Sequence, residues 1–153
     1  MNFRLATEND IPELCALRWE HESEVDDTVA NQSIVEFEKA FSRFAKEAIA
    51  SGNWAFWVAE DKDVIIANVF INRVRKVPKP QKLVAEIGYL TNVHTKIEYR
   101  NHGVGTTLMK HVAAWARDNS VELLFLWPGE RSVVFYERLG YSSINDVMEL
   151  DLA

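Results

Sequence analysis

The chain has one cysteine, Cys15, among 153 residues. A single thiol excludes an intrachain disulfide and a cysteine-rich zinc site, so packing alone must hold the fold. Proline (four) and glycine (six) are scarce. No Gly/Pro/Ser-rich linker, internal repeat or low-complexity tract divides the sequence. Positive charge is in deficit, with 17 Lys+Arg against 23 Asp+Glu and a net charge of −6. General nucleic-acid binding needs a basic face to neutralise phosphate, and this composition argues against it. Long apolar runs are missing too. The longest, Val64 to Ile71, is broken by Asn68, and a bilayer span takes ~20 residues. The first ten residues, Met-Asn-Phe-Arg-Leu-Ala-Thr-Glu-Asn-Asp, contain no apolar signal core. The expectation is a reduced, cytosolic protein with no membrane or nucleic-acid partner.

What is present reads as a globular chain, 48% hydrophobic and 26% charged. A length of this order suits a single domain over residues 1–153, burying ~70% of its unfolded surface. Residues 2–6 read as a strand. Asp10 and Glu13 have capping-box spacing before a helix whose apolar side is Ile11, Leu14, Cys15 and Leu17. An acidic run, Glu20 to Asp27, follows. Ser33 and Glu36 open a second helix with Ile34, Phe37, Phe41, Phe44 and Ala48 on one face, and Gly52 closes it. Trp54–Ala59 and Val64–Ile71 read as strands about a polar turn, residues 60–63. Residues 73–82, with five basic side chains and two prolines, read as a loop. Val84–Thr95 is a long strand. A helix over 103–118 buries Val104, Leu108, Val112 and Trp115. Val121–Trp127 reads as a strand covered on both faces. Ser132–Leu139 is a short helix stopped by Gly140, and Val147–Leu152 a last strand. The order predicts a mixed α/β domain, one central sheet flanked by helices.

Chemistry concentrates between Val93 and Thr106. A strand ends, and Arg100-x-x-Gly103-x-Gly105 opens an amphipathic helix. Glycines let backbone approach a ligand closely. The first amides of a helix lack internal partners, and its dipole favours anions there. With the charge of Arg100 this makes a receptor for a diphosphate. A P-loop is disfavoured because Thr106 and Thr107 follow Gly105 where lysine is required. The dinucleotide fingerprint is disfavoured because Leu108 replaces its third glycine.

This segment resembles the coenzyme A motif of the GNAT superfamily of N-acetyltransferases, Arg/Gln-x-x-Gly-x-Gly/Ala after the fourth strand. Downstream, Phe135-Tyr136-Glu137-Arg138-Leu139-Gly140-Tyr141 is similar to the family's Phe-Tyr-x-x-x-Gly-Phe/Tyr signature. The separation of the motifs and the order of elements match that fold from Phe3 to Leu152.

The resemblance implies acetyl-CoA as cosubstrate, no metal, and a small-molecule or peptide amine as acceptor; homodimers are common in the family. Arg100, Asn101, His102, Gly103, Val104 and Gly105 would wrap the pyrophosphate, with Thr106 close behind. Val93, His94 and Thr95 would pair through their backbone with the pantetheine arm, and the Val93 amide would polarise the thioester carbonyl. Ser132 fits the family's small-residue position. Tyr136 would protonate the departing thiolate, which a phenol can do without a tuned environment. Gly129 stands where the family often has Asn, and Ile97 where Pro is frequent.

An ammonium must lose a proton before it attacks. Glu86, which begins the strand leading to the thioester, is the first candidate base, with Glu130, Glu20 and His94 as rivals. Cys15 reads as a packing residue, so direct transfer is preferred over an acetyl-cysteine route. The acidic run suits a cationic acceptor, though a solvated helix end explains it as well. Trp19, Trp54 and Trp57 could line a pocket or belong to the core. The basic stretch at Arg73, Arg75, Lys76, Lys79 and Lys82 reads as a solvated hairpin. Two alternatives to an enzyme stay open: a non-catalytic acyl-CoA sensor and an interaction module on the same fold.

Overall fold

The computed structural model describes residues 1–143 and 147–152. Its elements are β1 (Asn2–Leu5), α1 (Ile11–Val25), α2 (Ile34–Ser51), β2 (Trp54–Asp61), β3 (Val64–Arg75), β4 (Glu86–Thr95), α3 (Val104–Asp118), β5 (Val121–Phe125) and α4 (Val133–Arg138). The mixed α/β arrangement forms as expected, around one five-stranded sheet ordered β1-β2-β3-β4-β5. Neighbouring strands are antiparallel except β4 and β5, which run parallel. A parallel pair needs a crossover, and α3 provides it.

The period of two along each strand sends alternate side chains to opposite helical layers. Ala55, Ala59, Ile66, Val69 and Leu90 pack with Val104, Leu108, Met109 and Val112 of α3. On the other face Phe56, Val58, Ile65 and Phe70 pack with Leu14, Cys15 and Leu17 of α1 and with Phe41, Ala45 and Ala48 of α2. Trp57 joins the first cluster and Trp54 the second, while Trp19 lies against Phe37 at 5.4 Å between ring centroids. Among the described residues no helix is long and apolar enough to cross a membrane.

Several boundaries differ from the sequence expectation. The Asp10–Glu13 capping box does not form. Asp10 instead accepts from both terminal nitrogens of the Arg4 guanidinium and from the Thr7 amide, and Glu13 accepts from the Ile65 amide. The Asp10 carboxylate is thus shared between a charge-assisted bidentate pair with Arg4 and a capping box one turn earlier, at Thr7. The second helix begins as expected, with Ser33 Oγ accepting from the Glu36 amide, and ends at Gly52 with φ +68°. The β2–β3 turn uses two left-handed residues, Lys62 and Asp63, the geometry that matches strand twist in a two-residue hairpin. β3 runs on through Arg73 and Arg75, which the sequence assigns to a loop; cross-strand pairing with Gly88 and Glu86 holds them in register.

β5 is an edge strand, with Glu122 and Leu123 exposed, rather than a strand covered on both faces. The expected last strand, 147–152, is not in the sheet. Val147, Met148, Leu150 and Leu152 are all exposed, so their alternation finds no buried face to make pairing favourable.

Candidate functional site

The site begins where the sheet opens. Pairing of β4 with β5 runs from Glu86↔Val121 to Tyr89↔Phe125. β4 continues to Thr95, so residues 90–95 have no β5 neighbour. On the other side, β3 pairs Phe70 with Thr91 and Asn68 with His94. Val69 therefore faces both Asn92 and Val93, a β-bulge, which bends the strand and re-aims its groups. Asn92 adopts φ +49°. Fully buried Asn68 donates its side-chain amide to the Asn92 carbonyl at 2.5 Å.

Past Thr95 the chain makes a short turn, then passes Asn101 at φ +62° and Gly103 at φ +78°. Gly103 is the N-cap of α3 and supplies no side-chain hydrogen bond. The amides at this helix start are thus left to an anion, with the dipole in its favour. Gly105 brings the backbone close to its surroundings. A Cβ there would stand 3.4 Å from Thr95 Oγ1 and 3.5 Å from Phe135 Cζ. Arg100 Nε donates to the Thr95 carbonyl at 2.8 Å, and its Nη2 pairs with Glu24 at 2.6 Å.

The facing wall comes from the segment before α4 and from α4 itself. Ser132 Oγ donates to the Gly129 carbonyl at 2.8 Å. Tyr136 is buried, its ring 5.1 Å from Phe135 and 5.7 Å from Tyr141. Burial raises the Tyr136 phenol above its ordinary pKa; Tyr141 is pushed to about 12, first by burial and then by Tyr136.

One cleft is lined by Val93, His94, Thr95, Arg100, Asn101, Gly103, Val104, Gly105, Thr106, Ser132 and Tyr136. These are the sequence candidates apart from two. His102 is exposed and does not line the cleft. Glu86 stands apart as well: it is the first residue of β4, its Oε2 accepts from both Nε and Nη2 of Arg73 at 2.7 Å, and Arg75 lies 3.4 Å from its other oxygen. The six-residue run from Glu86 to Asn92 separates it from the bulge by ~20 Å of extended chain. Arg73 and Arg75, expected in a solvated hairpin, are what occupy it.

Of the rivals for the base, Glu130 and His94 line the cleft, and Glu20 approaches His94 at 3.6 Å. Burial, then His21, pulls the His94 imidazole down to about 4. Sequence reasoning did not single out Arg18 or His21 for this wall, which they line from α1 together with Glu24 of the acidic run. Their spacing of three is the signal that places them on one helical face. Cys15 lies in the core between α1 and α2, and burial pushes its thiol to about 11.

The chain resembles solved structures across nearly its whole length. A predicted acetyltransferase with acetyl-CoA from Clostridium acetobutylicum is 22% identical, with a TM-score of 0.80 over 99% of this chain and 96% of that one. A transcriptional regulator from Bacillus halodurans C-125 is 18% identical, with a TM-score of 0.77 over 99% of each. A glucosamine-6-phosphate N-acetyltransferase from Arabidopsis thaliana is 16% identical, with a TM-score of 0.75 over 99% of this chain and 98% of that one. At these identities the likeness speaks to the fold. No curated protein sequence matches the chain. The model of the acetyltransferase (GNAT) family matches residues 13–141, which contain both motifs and every wall of the cleft: the chain belongs to the GNAT family of acetyltransferases.

Proposed function

We propose that the protein moves an acetyl group from acetyl-CoA, its cosubstrate, to a primary amine of a small molecule or peptide, by direct attack in a ternary complex. The observation that carries this reading is a coincidence in one cleft. The unpaired stretch of β4, the uncapped start of α3 and the Tyr136 side chain all border the same space. In this reading the diphosphate lies on the amides of residues 104–106, beside Arg100. The pantetheine arm adds to β4 at residues 93–95 as an extra strand. The Val93 amide donates to the thioester oxygen, whose charge grows as the tetrahedral intermediate forms.

The amine nitrogen bonds to the carbonyl carbon, and the carbon–sulfur bond breaks. The thiolate takes the proton of Tyr136, which its raised pKa keeps in place until then. The amine must shed its own proton. Glu86 is committed to Arg73 and Arg75, which leaves His94 and Glu130 as acceptors that line the cleft. The variants His94→Gln and Glu130→Gln assign the role by which one lowers kcat. Direct transfer is supported by the buried, protonated state of Cys15, the chain's one thiol. Glu24 and Glu22 are paired with Arg100 and Arg18, so among the acidic side chains of this part of α1 it is Glu20 that favours a cationic acceptor.

Release of free thiol from acetyl-CoA, with a panel of amines, tests the reading. Transfer to any primary amine supports it. Binding of acetyl-CoA without transfer to any of them supports the second reading, a sensor of acyl-CoA. Gly129 in the position where Asn is frequent favours that alternative.

A further inference from the structure

We infer that Glu20 and Glu24 of α1 and His94 of β4 form a binding site for a divalent transition-metal ion of the zinc class. The His94 side chain is 2% exposed, and its Nε2 has no hydrogen-bond partner. It points at two carboxylates, 3.6 Å from Glu20 Oε1 and 3.8 Å from Glu24 Oε1. Neither distance is a hydrogen bond, whichever ring nitrogen carries the proton. One ligand atom from each of the three residues lies within 4.8 Å of the others. A buried imidazole nitrogen and two carboxylates thus converge without a hydrogen bond between them. A buried polar atom left in that state calls for a bound group.

The spacing and the donor set favour a metal ion over an ammonium group. Ligands bonded at ~2.1 Å in a tetrahedron stand about 3.4 Å apart. Acceptors of three N–H bonds at ~2.8 Å would stand about 4.6 Å apart. The two separations from His94 Nε2 to the carboxylates, 3.6 and 3.8 Å, lie nearer the first. An imidazole with two carboxylates suits zinc, whereas magnesium prefers oxygen ligands and retains its waters.

The ligands are also held. Glu20 and Glu24 are one helical turn apart and share a face. Arg100 Nη2 donates to both oxygens of Glu24, at 2.9 and 2.6 Å. The His21 ring stacks on His94, with centroids 4.8 Å apart and planes at 22°. Such outer contacts fix the orientation of metal ligands. Glu20 is 39% exposed, which leaves the ion a way in. The sequence expectation of no metal comes from the family resemblance, and a Glu-x-x-x-Glu on one helix with a histidine on a distant strand makes no short motif to set against it. The site does not depend on the transferase reading, but an ion there would take His94 Nε2 out of proton transfer.

The test is calorimetric titration of the untagged full-length chain with ZnCl2, and separately with MgCl2 and methylammonium chloride. The expected result is saturable binding of one Zn2+ per chain, with no measurable binding of the other two. Glu20→Gln and His94→Gln should each weaken Zn2+ binding by about 10-fold or more. Glu20 is on the surface, so its variant keeps the test valid if the His94 variant fails to fold. Zn2+ should raise the melting temperature of the native chain more than that of Glu20→Gln. Absence of saturable Zn2+ binding, or an affinity unchanged in Glu20→Gln, overturns the proposal. So does tighter binding of Mg2+ or methylammonium than of Zn2+.

Discussion

The side-chain amide of Asn68 donates to the main-chain carbonyl of Asn92 at 2.5 Å, tying the middle of β3 to the bulge of β4. Asn68 is fully buried in a strand otherwise built of Val, Ile, Ala and Phe at that level. A polar residue there is costly unless it holds something. What it holds is the φ +49° residue beside which β4 offers its backbone to the cleft. Asn68→Ala should lower stability by about 1–3 kcal/mol, since it leaves a buried carbonyl without its donor. Urea unfolding measures this. The same variant should lose transfer rate beyond what its unfolded fraction explains.

Gly105→Glu should weaken coenzyme A binding by about 10-fold or more, equivalent to ~1.4 kcal/mol. It places a carboxylate at the start of α3, where the diphosphate is expected. Gly105→Ala meets its neighbours at 3.4 and 3.5 Å, close to ordinary contact, so it should fold with a near-native melting temperature. Calorimetry with coenzyme A, paired with thermal melts, separates crowding of the ligand from loss of fold.

Tyr136→Phe should lower kcat by about 100-fold, the lower end of general-acid contributions, while coenzyme A affinity changes less than about 2-fold. The ring is retained, so its packing against Phe135 and Tyr141 persists. An unchanged kcat, with chemistry shown to limit turnover by single-turnover kinetics, would remove the phenol from the reaction.

Glu86→Gln should leave kcat within a few-fold of native and lower stability by about 1–3 kcal/mol. Its carboxylate, 8% exposed, is the partner of Arg73, and the amide cannot replace that charge. A large fall in kcat with unchanged stability would return Glu86 to the mechanism.

Acid sensitivity should trace in part to Asp10. Its carboxyl is held at about 2, below its ordinary 3.8, first by hydrogen bonding to Arg4. A depressed folded pKa means the stabilisation is complete above the unfolded value and is lost as pH falls through about 2. Asp10→Asn should therefore be less stable at pH 7 and show a flatter stability profile between about pH 4 and 2. Thermal melts across that range check both the sign and the window.

Much of this was legible in the sequence where local chemistry and tertiary context agree. The run Ile34, Phe37, Phe41, Phe44 and Ala48 gave a helix with its cap at Ser33 and its stop at Gly52. The Arg100–Gly105 spacing placed the loop that lines the cleft. What failed depended mostly on partners distant in sequence. The box expected at Asp10 and Glu13 is lost because Ile65, across the fold, takes Glu13, while Asp10 turns to Arg4 and Thr7 nearby. Residues 73–75 looked like a loop because their register is set by Gly88 and Glu86 across the sheet. Glu86 looked unpartnered for the same reason, since its two arginines come from β3. Val147–Leu152 alternates like a strand, but alternation is informative only when one face is buried.

The most direct measurement is a crystal structure of the protein with coenzyme A. The diphosphate is expected within hydrogen-bond distance of the amides of residues 104–106, with the pantetheine arm alongside residues 93–95 and its sulfur near the Tyr136 hydroxyl. A diphosphate bound away from the start of α3, or an arm that leaves the open edge of β4 unpaired, would contradict the account.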